Sequence, residues 1–118
     1  MDYIDGFVLP IPRQHLDEYQ RVAQAVAEIW REQGALDYRE FVGNDLQLEG
    51  VRDFPGMVSA GEDEVIVFGW VSFASKAARD RANEKVATDP RMPGLVDAAD
   101  TGFDASRMAW GGFRPLVT

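Results

Sequence analysis

The sequence predicts an α+β fold of the ferredoxin-like kind. Two helices are expected on one face of a four-stranded antiparallel sheet, in the order strand, helix, strand, strand, helix, strand. Three observations carry this. Four segments alternate with period two, and two segments repeat at spacings of three and four. Val65 to Phe73 is apolar on both of its alternating faces, so it needs cover on both sides. The chain is 118 residues long and 46% hydrophobic, enough for a core in one domain, expected to span residues 1–118.

Tyr3 to Ile11 is the expected first strand, with Tyr3, Asp5, Phe7 and Leu9 on one face and Ile4, Gly6 and Val8 on the other. Pro10 and Pro12 are expected to end it, because proline has no N–H to give a central ladder. His15 to Gln33 is the expected first helix. Leu16, Tyr19, Val22, Val26, Ile29 and Trp30 make one apolar stripe, and Gly34 supplies a left-handed stop. Leu36 to about Asp45 is the second strand, weakened by Gly43-Asn44-Asp45. Gln47 to Asp63 holds four glycine or proline breakers, Gly50, Pro55, Gly56 and Gly61. It predicts a surface loop with a short strand at Met57 to Ala60, long enough to fold over a pocket or extend a partner's sheet. Val65 to Phe73 is the third strand. Ser75 is a good helix N-cap, and the second helix is expected from Lys76 to Thr88 with a thin stripe of Ala78, Ala82 and Val86. Asp89-Pro90 stops it. Met92 to Ala99 is expected to add one or two helical turns. Arg107 to Val117 is the fourth strand, bent at Gly111-Gly112.

The two sheet faces must then be assigned. Ile4, Gly6 and Val8, Phe41, Val65, Val67 and Val71, and Ala109, Gly111 and Phe113 form an aliphatic or small set suited to alanine-striped helices. The opposite set is Tyr3, Asp5 and Phe7, Tyr38 and Glu40, Ile66, Phe68 and Trp70, and Met108 and Trp110. Such an aromatic face would be a liability on a monomer. A homodimer with facing sheets, a dimeric α+β barrel, is therefore expected to enclose an aromatic cavity. Within it Asp5 and Glu40 are candidate acid/base or ligand-orienting groups, since desolvation raises a carboxyl pKa. Tyr3, Tyr38, Phe68, Trp70 and Trp110 are the candidate ligand-binding side chains. The plainer alternatives are ion pairs at the interface rim for the carboxylates and interface core for the rings.

Composition narrows the partners. The net charge is −8, from 12 basic and 20 acidic residues. Nucleic acid and anionic membrane surfaces both call for basic patches, so neither is expected as a partner. There is no cysteine, hence no disulfide, thiol nucleophile or thiolate metal site. His15 is the one histidine. Asp97, Asp100 and Asp104 fit no metal-loop pattern, so no metal and no cofactor is expected. The acidic start lacks the basic opening of a signal peptide and no apolar run is long enough to span a bilayer, which predicts a soluble cytoplasmic protein.

Several stretches in order resemble the YbaA-like family of small bacterial proteins of unknown function. They are Tyr3 to Val8, Val65 to Trp70, Ser75-Lys76, Arg79 to Asn83, Asp89 to Met92 and Arg107-Met108 with Gly111-Gly112-Phe113. The resemblance covers nearly the whole chain. It implies a ferredoxin-like protomer and a homodimer with facing sheets, and carries no catalytic residues over. Gly69, Ala74, Gly102 and Ser106 depart from the serine, proline, proline and lysine usual there.

Three functions are compatible with these residues. One is a cofactor-free enzyme acting on a small aromatic or apolar substrate, monooxygenase-like or isomerase-like by analogy with the superfamily. The second is a non-catalytic module binding a small molecule. The third is a structural dimer whose facing sheets fill their own cavity.

Overall fold

The computed structural model describes residues 2–98 and 100–118. The strands are β1 (Tyr3–Pro12), β2 (Asp37–Val42), β3 (Glu64–Phe73) and β4 (Ala109–Phe113). The helices are α1 (Leu16–Glu32), the single turn α2 (Phe54–Met57), α3 (Lys76–Ala87) and α4 (Arg91–Ala98). The strands form one antiparallel sheet in the order β2-β3-β1-β4, which is the ferredoxin-like order. Among the described residues no helix is long and apolar enough to cross a membrane.

Local chemistry explains the elements. Ser75 caps α3 as expected, its hydroxyl accepting from the Ala78 N–H at 3.0 Å. Gly34 follows α1 with φ of +115°, a conformation that costs glycine little. Asp53 caps α2 by accepting from the Gly56 N–H at 2.9 Å, so Met57 ends a helical turn and the short strand expected at Met57 to Ala60 is absent. The expected end of α4 at Ala99 lies outside the described residues.

Pro12 is the last residue of β1, as expected, but Pro10 does not end it: it lies inside the strand, paired in register with Ile66. The Ile66 carbonyl is turned towards β2, where it accepts from Gly43 N–H at 2.7 Å. The Pro10 nitrogen therefore faces the other side, beyond the ladder with β4, which spans only Ile4 to Val8. The outer strands are shorter than expected. β2 gives way at Gly43. β4 runs from Ala109 to Phe113 because Arg107 sits in a tight turn, Ala105–Arg107, and Pro115 follows two residues after the last paired position.

The register sets the faces. One row across the sheet is Trp110, Phe7, Gly69 and Glu40, and the next is Gly112, Asp5, Val71 and Tyr38. These rows point at the helices. Phe7, Leu9 and Ile11 pack with Val67, Val71 and Phe73 against Ile29, Trp30, Ala82 and Val86. Fully burying one such side chain contributes about 1.5–3 kcal/mol. The expected assignment therefore holds for β3 alone. In β1, β2 and β4 it is inverted: Tyr3, Asp5, Phe7, Tyr38, Glu40, Met108 and Trp110 lie on the helix side. Ile4, Gly6, Val8, Phe41, Ala109, Gly111 and Phe113 lie on the open side. Gly69 explains part of this. It leaves a gap in the helix-side row, and the Phe7 ring fills it, so that a Cβ at 69 would overlap that ring and approach the Arg39 carbonyl oxygen to 2.9 Å.

The open face is covered at one end only. Val58, Leu46 and Ala60 from the 46–60 segment pack on Val8 and Ile66, and Phe54 meets the Phe68 ring edge-on at 6.1 Å. Level with Val8 and beyond it, Phe41, Phe68 and Phe113 remain 50%, 43% and 57% exposed.

Candidate functional site

A pocket of about 190 Å³ lies between the sheet and helices α1 and α4. Its floor is the β1–β4 part of the sheet, where Phe7 stacks on Trp110 with centroids 4.5 Å apart and planes 6° from parallel. Trp30 from α1 lies over Trp110 at 6.3 Å, and Tyr38 meets Phe7 at 6.2 Å. Met92 and Val96 of α4, with Thr101, Phe103 and Met108 from the segment before β4, complete the wall. Beside it, between α1 and the β2 edge, runs a groove of about 520 Å³. Tyr19, Ala23, Tyr38 and Glu40 line both spaces.

Glu40 is the polar centre of this wall. Its Oε1 accepts from the Tyr19 hydroxyl, and its Oε2 accepts from the Tyr38 hydroxyl at 2.7 Å. Register puts Tyr38 and Glu40 on one side of β2, two residues apart, while the α1 stripe aims Tyr19 down at them. Burial, reinforced by the Glu40 charge and hydrogen bonds, pushes both phenol pKa values well above their ordinary value. Both tyrosines are therefore proton donors, and the carboxylate is the acceptor.

The structure brings three of the seven sequence-predicted site residues, Tyr38, Glu40 and Trp110, to this pocket. Asp5 and Tyr3 share its side of the sheet but belong to a separate cluster. Asp5 is wholly buried, and Arg79 of α3 donates from Nε to its Oδ1 and Oδ2 at 3.0 and 3.2 Å. The guanidinium lies 5.3 Å from the Tyr3 ring centroid. Phe68 and Trp70 are on the opposite, open face. The expected cavity between facing sheets thus does not hold the carboxylates. They sit beneath the helices because the register of β1 and β2 against β3 turns them that way. Tyr19, Trp30, Phe7, Thr101 and Phe103 were not expected as site residues. Tyr19 alone left a signal, a hydroxyl placed in an otherwise apolar helical stripe.

An ion pair ties the segment before β4 to the start of β3. Arg107 donates from Nη1 and Nη2 to Glu64 at 2.6 and 2.7 Å, and from Nη2 to the Ser59 carbonyl at 3.0 Å. The Arg107 hydrogen bonds, helped by the Gly61 N–H, hold the Glu64 carboxyl at about 2. A carboxylate with a depressed folded-state pKa stabilises the fold above the usual carboxylate range and loses that contribution as pH falls towards about 2. Glu64→Gln is accordingly expected to be less stable than wild type at neutral pH, with the gap closing between about pH 4.5 and pH 2. Urea midpoints across that range measure it, and a gap that stays constant would remove Glu64 from the account.

Residues 2–105 match the family described as "Protein of unknown function (DUF1428)". The chain belongs to this family. The uncharacterised protein YbaA of Escherichia coli K12 is 38% identical over 117 residues, covering 99% of this chain and 98% of that one, in keeping with the resemblance read from the sequence. Among solved structures, an uncharacterised NIPSNAP domain protein from Burkholderia xenovorans aligns with a TM-score of 0.56 at 14% identity, covering 97% of this chain and 94% of that one. It shares the fold. SnoaB, a cofactor-independent oxygenase from Streptomyces nogalater, aligns at a TM-score of 0.43 and 15% identity over 100% of this chain and 97% of that one. DUF1428 membership brings no activity with it, so function rests on the site. Among the described residues no group of three or more His, Asp or Glu side chains is arranged to hold a metal ion.

Proposed function

We propose that this DUF1428 chain takes a small, single-ring aromatic molecule into the pocket under α1 and α4, and that Glu40 with Tyr19 and Tyr38 orients it and moves a proton on it. The observation that carries this is the carboxylate held by two protonated phenols on the wall of an otherwise apolar cavity. Ligand sites are typically apolar with a few convergent polar groups. At about 190 Å³ the space suits one ring with short substituents. The Glu40 carboxylate is a proton acceptor, and the two neutral phenols that bond it fix its orientation, which suits an isomerase-like proton abstraction. Binding without turnover is the alternative, favoured by the hydrogen bonds that already engage both Glu40 oxygens.

The proposal includes a cytoplasmic homodimer joined through the open sheet faces. Its support is the exposed Phe41, Phe68 and Phe113 on a sheet face that the 46–60 segment covers only in part. In this arrangement the facing sheets hold the two protomers together, and each protomer keeps its own pocket on the helix side.

Trp30 and Trp110 line the pocket, so occupancy is expected to change tryptophan fluorescence. Benzyl alcohol serves as the probe. The expected result is a saturable response in wild type that is lost in Ala23→Phe, whose new ring fills the space where Ala23 borders the pocket. Circular dichroism confirms that the variant is folded. No saturable response in wild type, or an equal response in a folded Ala23→Phe, would refute the pocket as a ligand site.

A further inference from the structure

The pocket under α1 and α4 carries an electrostatic signature of its own. Six aromatic rings border it: Phe7, Tyr19, Trp30, Tyr38, Phe103 and Trp110. An aromatic ring presents a negative face, and such faces attract cations. Glu40 is the one charged side chain among the described residues of this wall, which holds no lysine, arginine or histidine. Its described hydrogen-bond partners are two neutral hydroxyls rather than a cation.

Nearby cations are committed elsewhere. Arg31, on the adjoining groove, donates from Nη2 to the Tyr38 carbonyl at 3.0 Å and lies 3.9 Å from the Asp37 carboxylate. Arg91, at the start of α4, is held by Asp89 and Glu32 at 2.8 and 2.6 Å. Glu40 is half-buried with neutral partners only, and a bound cation would supply the charged partner it lacks among the described residues. The tyrosine hydroxyls keep their protons and donate them in hydrogen bonds to Glu40, so the lone pairs they still offer are acceptors. Thr101, the other hydroxyl on the wall, is neutral and accepts from the Phe103 N–H at 3.2 Å. An anionic ligand would find no charged donor here, and the −8 net charge would repel it at a distance.

We propose that the ligand of this pocket is a small organic cation, an arylalkyl- or alkylammonium compound, with its ammonium group against Glu40 and its apolar part among the rings. The proposal rests on the pocket being a ligand site and adds the sign of the ligand's charge. The ammonium group would donate to the Glu40 carboxylate, completing the charge-assisted pair that the protein leaves half built. The alkyl or aryl part would lie among the rings, beside Trp30 and Trp110.

Three probes of nearly equal size decide it: benzylamine (protonated at neutral pH), benzyl alcohol and benzoate, titrated at fixed ionic strength into wild type and Glu40→Gln. In wild type, benzylamine is expected to bind about 10-fold tighter than benzyl alcohol, the scale of one charge-assisted hydrogen bond, with no saturable binding of benzoate. In Glu40→Gln the preference for benzylamine over the alcohol is expected to vanish. Benzyl alcohol binding as tightly as benzylamine in wild type would overturn the charge assignment while leaving the pocket a ligand site. Saturable binding of none of the three would overturn both. The ranking in wild type decides the matter even where the glutamine variant fails to fold. A preference for benzylamine that survives in a folded Glu40→Gln would place the cation elsewhere and contradict the proposal.

Discussion

Arg79→Ala is expected to lower stability by about 3–5 kcal/mol, because it strands a buried carboxylate. Asp5 is 0% exposed and sits mid-strand in β1, one row from Phe7. Arg79 is its charged partner, reaching from α3 with Nε at 3.0 and 3.2 Å from the two carboxylate oxygens and Nη2 at 2.9 Å from Oδ1. Hydrogen bonds to Asp5 hold the arginine pKa above its ordinary value, so the guanidinium remains charged. Gly112 is part of the same device. A Cβ there would overlap the Tyr3 hydroxyl and come within 2.7 Å of Arg79 Nη2, so glycine gives the guanidinium its room. The loss on removing Arg79 is chiefly the cost of leaving Asp5 unpaired rather than the net worth of the pair. Asp5→Ala combined with Arg79→Ala should therefore cost much less than the two single losses added together. Urea denaturation of the four proteins measures this. Losses that simply add would mean that Asp5 and Arg79 are not coupled as the structure has them.

Phe68→Asp is expected to convert a dimer into monomers. Phe68 lies near the middle of the open face, level with Phe41 on β2 and Val8 on β1. On the proposed twofold interface each substitution acts twice. Burying an unsatisfied polar group costs about 1–3 kcal/mol, so the pair would cost about 2–6 kcal/mol and weaken the dimer roughly 30-fold to 10⁴-fold. The protomer itself should stay folded, because Phe68 is 43% exposed and lies outside the core beneath the helices. Sedimentation velocity over a concentration series reads the change. A wild type that is monomeric at every concentration would remove the dimer.

Much of the fold is legible in the sequence because it is local. Ser75 and Gly34 mark helix ends by mechanisms that need no partner, and the stripe of α1 and the two apolar faces of β3 can be counted directly. The parity of one strand against another is not local. Both faces of this sheet are apolar, so sorting strands by aliphatic or aromatic character gave no reliable register, and only β3 was placed correctly. Leu9 and Ile11 carried the missing information. They continue the face of Asp5 and Phe7, and with them that face of β1 becomes the more apolar of the two. The chemistry of Asp5 misled for the same reason. A carboxylate was assigned to an open cavity because its arginine, 74 residues away in sequence, could not be paired with it by spacing.

The candidate site was legible in part. Glu40, Tyr38 and Trp110 fall on one side of the sheet, as the alternation of their strands implies, though that side faces the helices rather than a second sheet. What could not be read was the second wall. Tyr19 and Trp30 stand on the periodic stripe of α1, but periodicity does not say which part of the sheet that stripe docks on, and Phe103 comes from the irregular segment before β4. Gly69 mattered more than its size suggests. With no side chain there, the rings of Phe7 and Trp110 lie in one stacked layer, and that layer is the pocket floor.

The most direct test of the central claim, that the functional cavity lies on the helix side of the sheet, is a crystal structure of the wild-type protein grown with benzylamine. Ligand density is expected between α1, α4 and the sheet, with the amine within hydrogen-bond distance of Glu40 and the ring beside Trp30 and Trp110. Density lodged instead between the open faces of two protomers, beside Phe68 and Trp70, would contradict it, as would a pocket left empty at saturating ligand.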